Sequence, residues 1–529
     1  MSYEQRLTVG SLGKQEIDPG TPKVGKWVTM PQAITSPHRR KFNRVFLLNP
    51  AATLFKNDYP RCTYPLGIGY IAAVLENHEY TVKILDVFAE GYNDGIPIDA
   101  EGNFISYGLH DEGVIEAIRE FNPDVVGVSS IFSNQADNVQ NLLKLAKQAK
   151  PGVVTAIGGA HARYFPKACL SDPNLDVVFL GESELTFLQY LEHLNGNYDV
   201  EKIGSIAFRQ GDEIKINSEN VLISSRSKND LNNWSELDQI PFPAWHLYDM
   251  EKYFDYRAYQ SPYTKGDRVA QIYTSRGCSA HCTFCTTTNF WGNKLRRRSP
   301  ENVVEEIIAL KEQYGINEFH VQDDNITNDM KHAKILFRSF REIGLPWQTP
   351  QGTALWRMDE ELLDLMVASG AYQLTFAIES GVQRVLDQLI KKPLDLEKTK
   401  HLIKYARQIG LHVHGYFIIG MPPMFGHEGE TLEEMATTYR FAQECEFSSA
   451  SFFAAVPIVG SELLTECVRQ GFIDPSVNLF RMSYKQGLID VPGLWRGTEI
   501  AELAAKYNYE FNKNDTRAYT EKKWSALKY

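Results

Sequence analysis

The chain is poor in the features that mark secreted, membrane and nucleic-acid-binding proteins. Its seven cysteines are spread over 529 residues, too thinly for a disulfide framework. No apolar run is long enough to span a bilayer. The opening stretch, MSYEQRLTVGSLGKQEIDPG, lacks the basic and apolar regions of a secretory signal. Positive charge is in deficit: the formal net charge is −11, which argues against broad nucleic-acid binding but leaves room for local basic patches. Reduced cysteines point to the cytosol, and neither a nucleic-acid nor a membrane partner is expected. The composition says nothing about oligomeric state. A hydrophobic content of 43% and a charged content of 23% are ordinary for a globular protein, and the length allows about two to four domains.

Residues 1–42 are polar, rich in Gly, Pro and Lys, and read as an extended arm. From Arg44 apolar strands alternate with amphipathic helices. RVFLLNP, TVKILDV, DVVGVSS, GVVTAIGG and DVVFLG read as strands, separated by helices over 65–78, 112–121, 135–150 and 184–196. The alternation predicts an α/β unit, a Rossmann-like doubly wound sheet over 43–196. Ligands of such sheets bind outside the carboxyl ends of the strands. Residues 197–265 read as a bridging linker, with a hairpin at 205–216 turning at Gly211-Asp212. A second series begins at RVAQIYTS, with strands at 268–275, 317–322, 345–352, 372–380, 411–420 and 448–456 and helices between them. Six strand–helix units predict a partial (β/α)6 barrel over 266–456, with catalytic groups at the strand C-terminal ends. Residues 457–529 read as a helical C-terminal region closing one side of that barrel.

The most specific motif follows the first barrel strand: Cys278, Cys282 and Cys285 in TSRGCSAHCTFC. C-x-x-x-C-x-x-C gives three closely spaced thiolates. A [4Fe–4S] cube needs a ligand for each of four irons, so three thiolates leave one iron open for a small chelating molecule. A zinc site using His281 is the competing reading, but His281 adjoins Cys282, where joint chelation is awkward, and no second C-x-x-C follows. The segment resembles the radical S-adenosylmethionine (SAM) enzymes, in which the methionyl amine and carboxylate cap the open iron.

That resemblance implies further site residues. Phe284 stands where the family places an aromatic beside the adenine. Asp323, Asp324 and Asn325, at the end of the second strand, match the acceptors of the methionyl amine, a role suited to carboxylates; capping of the following helix by Asn325 or Asn328 is the alternative. Glu379 and Ser380, in FAIESG, match the ribose-binding element, or else form a turn. Gly420, in GYFIIGMPP, matches the glycine-bearing strand near the adenine, unless it only relieves crowding. In KLRRRSPENVVEEI, Arg296, Arg297 and Arg298, with Lys294, are weak candidates for a substrate phosphonate; pairing with the chain's own carboxylates is equally open. Lys391-Lys392 is weaker still.

A Rossmann-like domain ahead of such a barrel resembles the cobalamin-dependent radical SAM methyltransferases, in the words NPAATLF, VVGVSSIFSN, AIGGAHARYFP and VFLGESELTF. The resemblance implies cobalamin contacts from Thr53, Ser129, Ser130, Gly158, Gly159, His161, Gly181 and Glu182. A purely structural His161 and a cofactor-free flavodoxin-like domain are the alternatives. D-x-H-x-x-G is absent, and no histidine has Asp two residues before it, so no histidine is expected to ligate cobalt in that fashion. Within the class the chain is most similar to the phosphonate methyltransferases of fosfomycin biosynthesis, through QDDNITND, QGTALWRMDEELLDLM, FAIESGVQRVL and SASFFAAVPIVGSELL. This implies three cofactors ([4Fe–4S] cluster, SAM and methylcobalamin), an external one-electron reductant, and a cytidylylated 2-hydroxyethylphosphonate methylated at C2. Another phosphonate, a phosphinate or an unactivated carbon is the alternative acceptor.

Overall fold

Continuous burial along a strand is what a sheet covered on both faces demands. RVFLLN shows it, with the four central residues of Arg44–Asn49 buried. The computed structural model describes residues 8–11, 26–31, 40–56, 58–99, 102–225, 234–261, 263–478, 482 and 485–514. It divides into two units. The first holds the described residues from 26 to 260; the second holds those from 261 onward together with 8–11.

In the first unit the main sheet comprises β1 (Arg44–Asn49), β2 (Thr81–Asp86), β3 (Val125–Ser129), β4 (Val154–Gly158), β5 (Val177–Phe179), β6 (Ile206–Gln210) and β7 (Glu213–Asn217), in the order β7-β6-β5-β4-β3-β1-β2. Strands β1 to β5 are parallel. Helices α1 (Leu66–Asn77), α2 (Asp111–Phe121), α3 (Ala136–Ala149) and α4 (Glu184–Leu194) fall between or after them. The order β2-β1-β3-β4-β5 is flavodoxin-like, and its switch point lies between β1 and β3, where ligands of such sheets bind.

The hairpin predicted in the linker forms, with Gly211 at φ +62°. It does not bridge: β6 pairs antiparallel with β5 and extends this same sheet, because Ile206, Ala207 and Phe208 are buried there. A small antiparallel sheet of 52–55, 95–97 and 104–107 was not legible within its Gly/Asp-rich surroundings. Of the N-terminal arm, Lys26–Val28 docks as a strand on Val221–Ile223; most of the arm lies outside the described residues.

The second unit has the six predicted strands: β8 (Val269–Ile272), β9 (Glu318–Val321), β10 (Trp347–Thr353), β11 (Ala371–Glu379), β12 (His412–Ile419) and β13 (Ser449–Ala454). They are parallel and lie in sequence order without closure, a partial barrel. Helices α5 (Pro300–Tyr314), α6 (Met330–Ile343), α7 (Glu360–Ala368), α8 (Leu396–Gln408) and α9 (Leu432–Glu444) return the chain between strands, followed by α10 (Glu462–Gln470) and α11 (Gly497–Asn512). Most start at side-chain caps, from Ser299, Asp329, Asp359, Asp395, Thr431 and Ser461. The layer between strands and helices is aromatic: Phe319, Phe337, Phe340 and Trp347 pack together, and Trp347 Nε1 donates to Ser369 O at 3.1 Å.

The free edge of β13 is covered by α11. Asn508 accepts from Phe452 N at 2.8 Å and donates to Phe452 O at 2.7 Å. One turn on, Asn512 does the same to Ala450 at 3.1 and 2.7 Å. The two amides act as a short strand would, and satisfy an edge that would otherwise pair elsewhere. Among the described residues no helix is long and apolar enough to cross a membrane.

Candidate active site

The cysteine loop leaves β8 and is held on every side by groups from neighbouring strand ends. Ser275–Arg276 pairs antiparallel with Arg296–Arg297, closing the base of the loop. Gly277 sits at φ +97°, where a Cβ would stand 2.8 Å from Lys294 O, so only glycine makes this turn. Thr283 N donates to Ile390 O at 3.0 Å, and its hydroxyl to Leu389 O at 2.7 Å. Ser279 Oγ lies 2.7 Å from Asn328 Oδ1.

Cys278, Cys282 and Cys285 are free thiols and half-buried. Burial pushes the Cys282 thiol up to about 12, opposed by the charge of Lys392; Cys278 is raised by burial too. Among the described residues no three His, Cys, Asp or Glu side chains converge on one ion, and His281 is exposed. A cube takes one thiolate on each of three irons, so its sulfurs stand apart. The donor set therefore fits the cluster.

Asp323 is 3% exposed and fully committed. Its oxygens accept from Thr274 N at 2.6 Å, Thr274 Oγ1 at 2.5 Å and Ser275 Oγ at 2.6 Å. Burial raises its carboxyl to about 6 against those hydrogen bonds. It staples the start of the cysteine loop to β9. Asp324 is exposed, accepts from Gly277 N at 3.2 Å and from Thr287 Oγ1 at 3.1 Å, and retains an accessible carboxylate. Asn325 folds on itself, with Oδ1 accepting from Thr327 Oγ1 at 2.9 Å in an Asx-type turn. The cap of α6 is Asp329 rather than Asn325 or Asn328.

Glu379 ends β11 at φ +73°, a strained conformation for a residue with a side chain. It is buried and receives Lys392 Nζ at 2.8 Å on Oε1. Ser380 is turned away to helix α9: its hydroxyl lies 3.2 Å from Thr438 Oγ1 and accepts from Val382 N at 3.2 Å. Ser380 lies in the turn after β11, and the Glu379 carboxylate stands at the strand end. Phe284 is half-buried within the loop. Gly420 sits at φ +83°, where a Cβ would come within 2.7 Å of Ile500 on α11. Packing against α11 requires this glycine. Its N–H donates to Glu430 Oε2 at 2.8 Å, and burial raises that carboxyl to about 8.

The basic run is committed within the chain. Arg297 pairs with Asp329, and Arg298 with Glu306; Arg296 is fully buried, its guanidinium 6.0 Å from the Trp291 ring centroid. Lys391 pairs with Glu462 at 3.1 Å. Arg297 and Arg298 thus pair with carboxylates of the chain, and Lys391 and Lys392 do so as well.

In the first unit the candidates gather at the carboxyl ends of β3, β4 and β5. Ser130 is fully buried and its Oγ has no partner among the described residues. Gly159, at φ +124°, would place a Cβ 2.5 Å from Ser130 O. Ser130 lines a narrow cavity together with Val139, Leu143, Ile157 and His161. His161 is buried, with Nδ1 3.0 Å from Ser133 Oγ; burial lowers its pKa to about 4, so the ring is neutral. Gly158 and Ser129 pair across β3 and β4. The Thr53 hydroxyl accepts from Asn138 Nδ2 at 3.0 Å.

Glu182 is buried, and its Oε2 accepts from Ile223 N at 2.8 Å. Gly181 faces Asn220, whose Oδ1 would lie 3.2 Å from a Cβ there. Asn220 is 7% exposed with neither amide atom partnered among the described residues. No motif pointed to it, because it is brought to Gly181 by the hairpin. The orphaned hydroxyl, the orphaned amide and the glycine-lined approach fit a nucleotide-like tail rich in donors and acceptors.

Residues 54–191 match the B12 binding domain, and residues 272–442 match the Radical SAM superfamily. The chain is 64% identical to the cytidylyl-2-hydroxyethylphosphonate methyltransferase of Streptomyces wedmorensis, over 99% of this chain and 100% of that one. Among solved structures it is similar to the radical SAM methyltransferase TsrM from Kitasatospora setae, solved with cobalamin and a [4Fe–4S] cluster, at TM-score 0.63 and 16% identity, covering 89% of this chain and 85% of that one. It is also similar to OxsB, solved with aqua-cobalamin and SAM, at TM-score 0.65 and 14% identity, covering 88% and 66%. These two share the fold. The chain belongs to the cobalamin-dependent radical SAM methyltransferases.

Proposed function

We propose that this enzyme methylates C2 of cytidylyl-2-hydroxyethylphosphonate to give cytidylyl-2-hydroxypropylphosphonate, a step of fosfomycin biosynthesis. The observation that carries the reading is identity of 64% running the full length of both chains, beyond the cofactor motifs. The acceptor is a carbinol carbon with no nucleophilic character, so polar methyl transfer has no route to it. When bound, the cluster with SAM supplies radical chemistry able to open such a C–H bond, and cobalamin supplies the methyl group.

The chain's own residues hold and orient these groups. Cys278, Cys282 and Cys285 hold the cluster on a loop pinned by Asp323 and Thr283. Asp324 offers a carboxylate to an ammonium-like amine. Glu379, fixed by Lys392, offers acceptor oxygen to vicinal hydroxyls. Ser130, Gly158, Gly159 and Asn220 present the cradle for the cobalamin tail. The electron comes from an external donor, and the oxygen-labile cluster places the enzyme in the cytosol.

Anaerobically reconstituted enzyme should be incubated with methyl-labelled SAM and either cytidylylated or free 2-hydroxyethylphosphonate. Label is expected in the cytidylylated product. Methylation of neither compound overturns the reading.

A further inference from the structure

The acceptor proposed above is an anion, and the chain that binds it carries a net charge of −11. Phosphoryl oxyanions need charged donors where they dock. The strand ends of the second unit already present the carboxylates of Asp324 and Glu379. Binding groups of such barrels gather on the loops that follow the strands, so a cation for the acceptor belongs on one of those loops.

The loops after β9, β12 and β13 carry no Lys or Arg. On those after β8 and β11, Arg297, Arg298, Arg384, Lys391 and Lys392 are held by carboxylates. Arg276 and Arg296 lie over the Trp291 ring, at 5.2 and 6.0 Å from its centroid, and Lys294 is engaged within the chain. The loop after β10 differs. Its cation, Arg357, is exposed and makes no ion pair or hydrogen bond among the described residues. Asp359, two residues on, is already spent: it accepts from Leu362 N at 2.8 Å to cap α7 and lies 3.6 Å from Lys334 Nζ.

Arg357 is carried on a fixed support. Leu355 and Met358 are buried, and Met358 N donates to Leu355 O at 2.9 Å, closing a turn around Trp356 and Arg357. The start of the loop is tied to the end of β9: Asn325 Oδ1 accepts from Ala354 N at 3.4 Å, and Thr327 Oγ1 donates to Ala354 O at 3.0 Å. The Trp356 ring centroid lies 5.8 Å from Lys392 Nζ, and Lys392 holds Glu379. The turn therefore borders the Glu379 strand end. At the end of β9, Gln322 and Asn325 are buried, and neither Gln322 Nε2 nor Asn325 Nδ2 has an acceptor among the described residues. Buried donors left unmade are costly, and in a native chain they call for an explanation such as a ligand. Adjacent strand ends thus offer a guanidinium without a counter-ion and two unmet amide donors, the complement of an oxyanion.

We propose that Arg357 binds the phosphoryl oxyanions of the acceptor and is a specificity-determining residue of the methyl transfer. The inference rests on the cytidylylated phosphonate of the reading above. A planar guanidinium gives two parallel N–H donors to one phosphoryl group. Because Arg357 is exposed, its attraction is screened by salt.

The test uses full-length reconstituted enzyme and equilibrium dialysis of cytidylyl-2-hydroxyethylphosphonate, of uncharged cytidine and of SAM, at low and high salt. Iron and cobalt contents check the fold. Arg357→Gln should weaken the phosphonate by about tenfold or more and flatten its salt dependence, with cytidine and SAM affinities unchanged. Arg357→Lys, which keeps the charge and loses the fork, should recover part of the loss. Wild-type affinity for the phosphonate in Arg357→Gln, or an equal loss for cytidine or SAM, overturns the proposal. Labelled methyl transfer by wild type is scored separately. Transfer with phosphonate binding indifferent to Arg357→Gln removes only this inference. Binding that depends on Arg357 without transfer removes only the substrate assignment, and no binding to wild type removes both.

Discussion

Lys392 Nζ lies 2.8 Å from Glu379 Oε1 in a pair whose side chains are 5% and 7% exposed. Glu379 holds a left-handed backbone conformation at the end of β11, and the charge of Lys392 also reaches Cys282 and Cys278. One lysine thus neutralises the strand-end carboxylate and sits beside the thiol loop. Removing one member of a buried pair strands the other charge, at a cost of about 3–5 kcal/mol. Lys392→Met should destabilise the enzyme by that order in urea unfolding. Glu379→Ala should weaken SAM binding more than cobalamin binding, measured by dialysis on one preparation; equal losses would show that Glu379 only supports the fold.

Cys278→Ala should abolish cluster assembly and leave cobalamin bound, because the thiols and the Ser130–Gly159 cradle lie in separate units. Iron and cobalt counts on the purified variant decide it. Loss of cobalt together with iron would contradict two independent sites.

His161 makes the first unit acid-sensitive. Burial lowers its pKa from 6.5 to about 4, so the unfolded chain binds the proton more readily than the folded one. Stability from this group is complete above about 6.5 and is lost as pH falls toward 4, by up to ~3 kcal/mol. Replacing His161 with Gln should flatten the pH dependence of unfolding in that window, whatever its effect at neutral pH.

Glu430 acts in the opposite sense, from mildly acidic pH upward. Burial raises its carboxyl from 4.5 to about 8, so the folded state favours the protonated form. Its contribution is complete below about 4.5 and is lost as pH rises from there to about 8, at about 1.4 kcal/mol per unit. The carbonyl of Gln can still accept from Gly420 N and Met421 N, the two bonds Glu430 Oε2 accepts. Glu430→Gln should therefore leave the fold intact and raise the melting temperature by an amount that grows from about pH 5 to about pH 8 and levels off above it, with no gain below about pH 4.5.

Asn508→Ala with Asn512→Ala removes both amides from the edge of β13. Each leaves a strand N–H and C=O without its partner, costing about 1–3 kcal/mol per site. Amide exchange at Ala450 and Phe452 should quicken markedly, and the double variant should aggregate through the bared edge. Unchanged exchange would mean that apolar packing of α11 alone covers the strand.

The barrel was legible in detail because buried parallel strands are short apolar runs and their helices carry Ser, Thr or Asp caps, each visible locally. The cysteine loop was legible because a cube needs its thiolates close in sequence. The hairpin at 206–217 was visible as a hairpin, but its place at the edge of the first sheet depends on which edge was left unpaired. The acidic and basic runs were the least readable. Asp323 and Asp324 are identical neighbours, yet one is stapled inside and the other exposed, and Arg297 and Arg298 carry charges whose partners lie 32 and 8 residues away.

Composition, periodicity and motif spacing were enough to determine two α/β units, a thiolate triad and the radical SAM class, since each depends on contacts within a few residues. The tertiary structure alone decided which polar groups are spent. Asp323, Ser380, Glu182 and the arginines are consumed in holding loops and strands together. Asp324, Ser130, Asn220 and Gln322 keep an accessible or unpartnered polar atom, because hydrogen-bond satisfaction is settled by what packing brings within reach from distant parts of the chain.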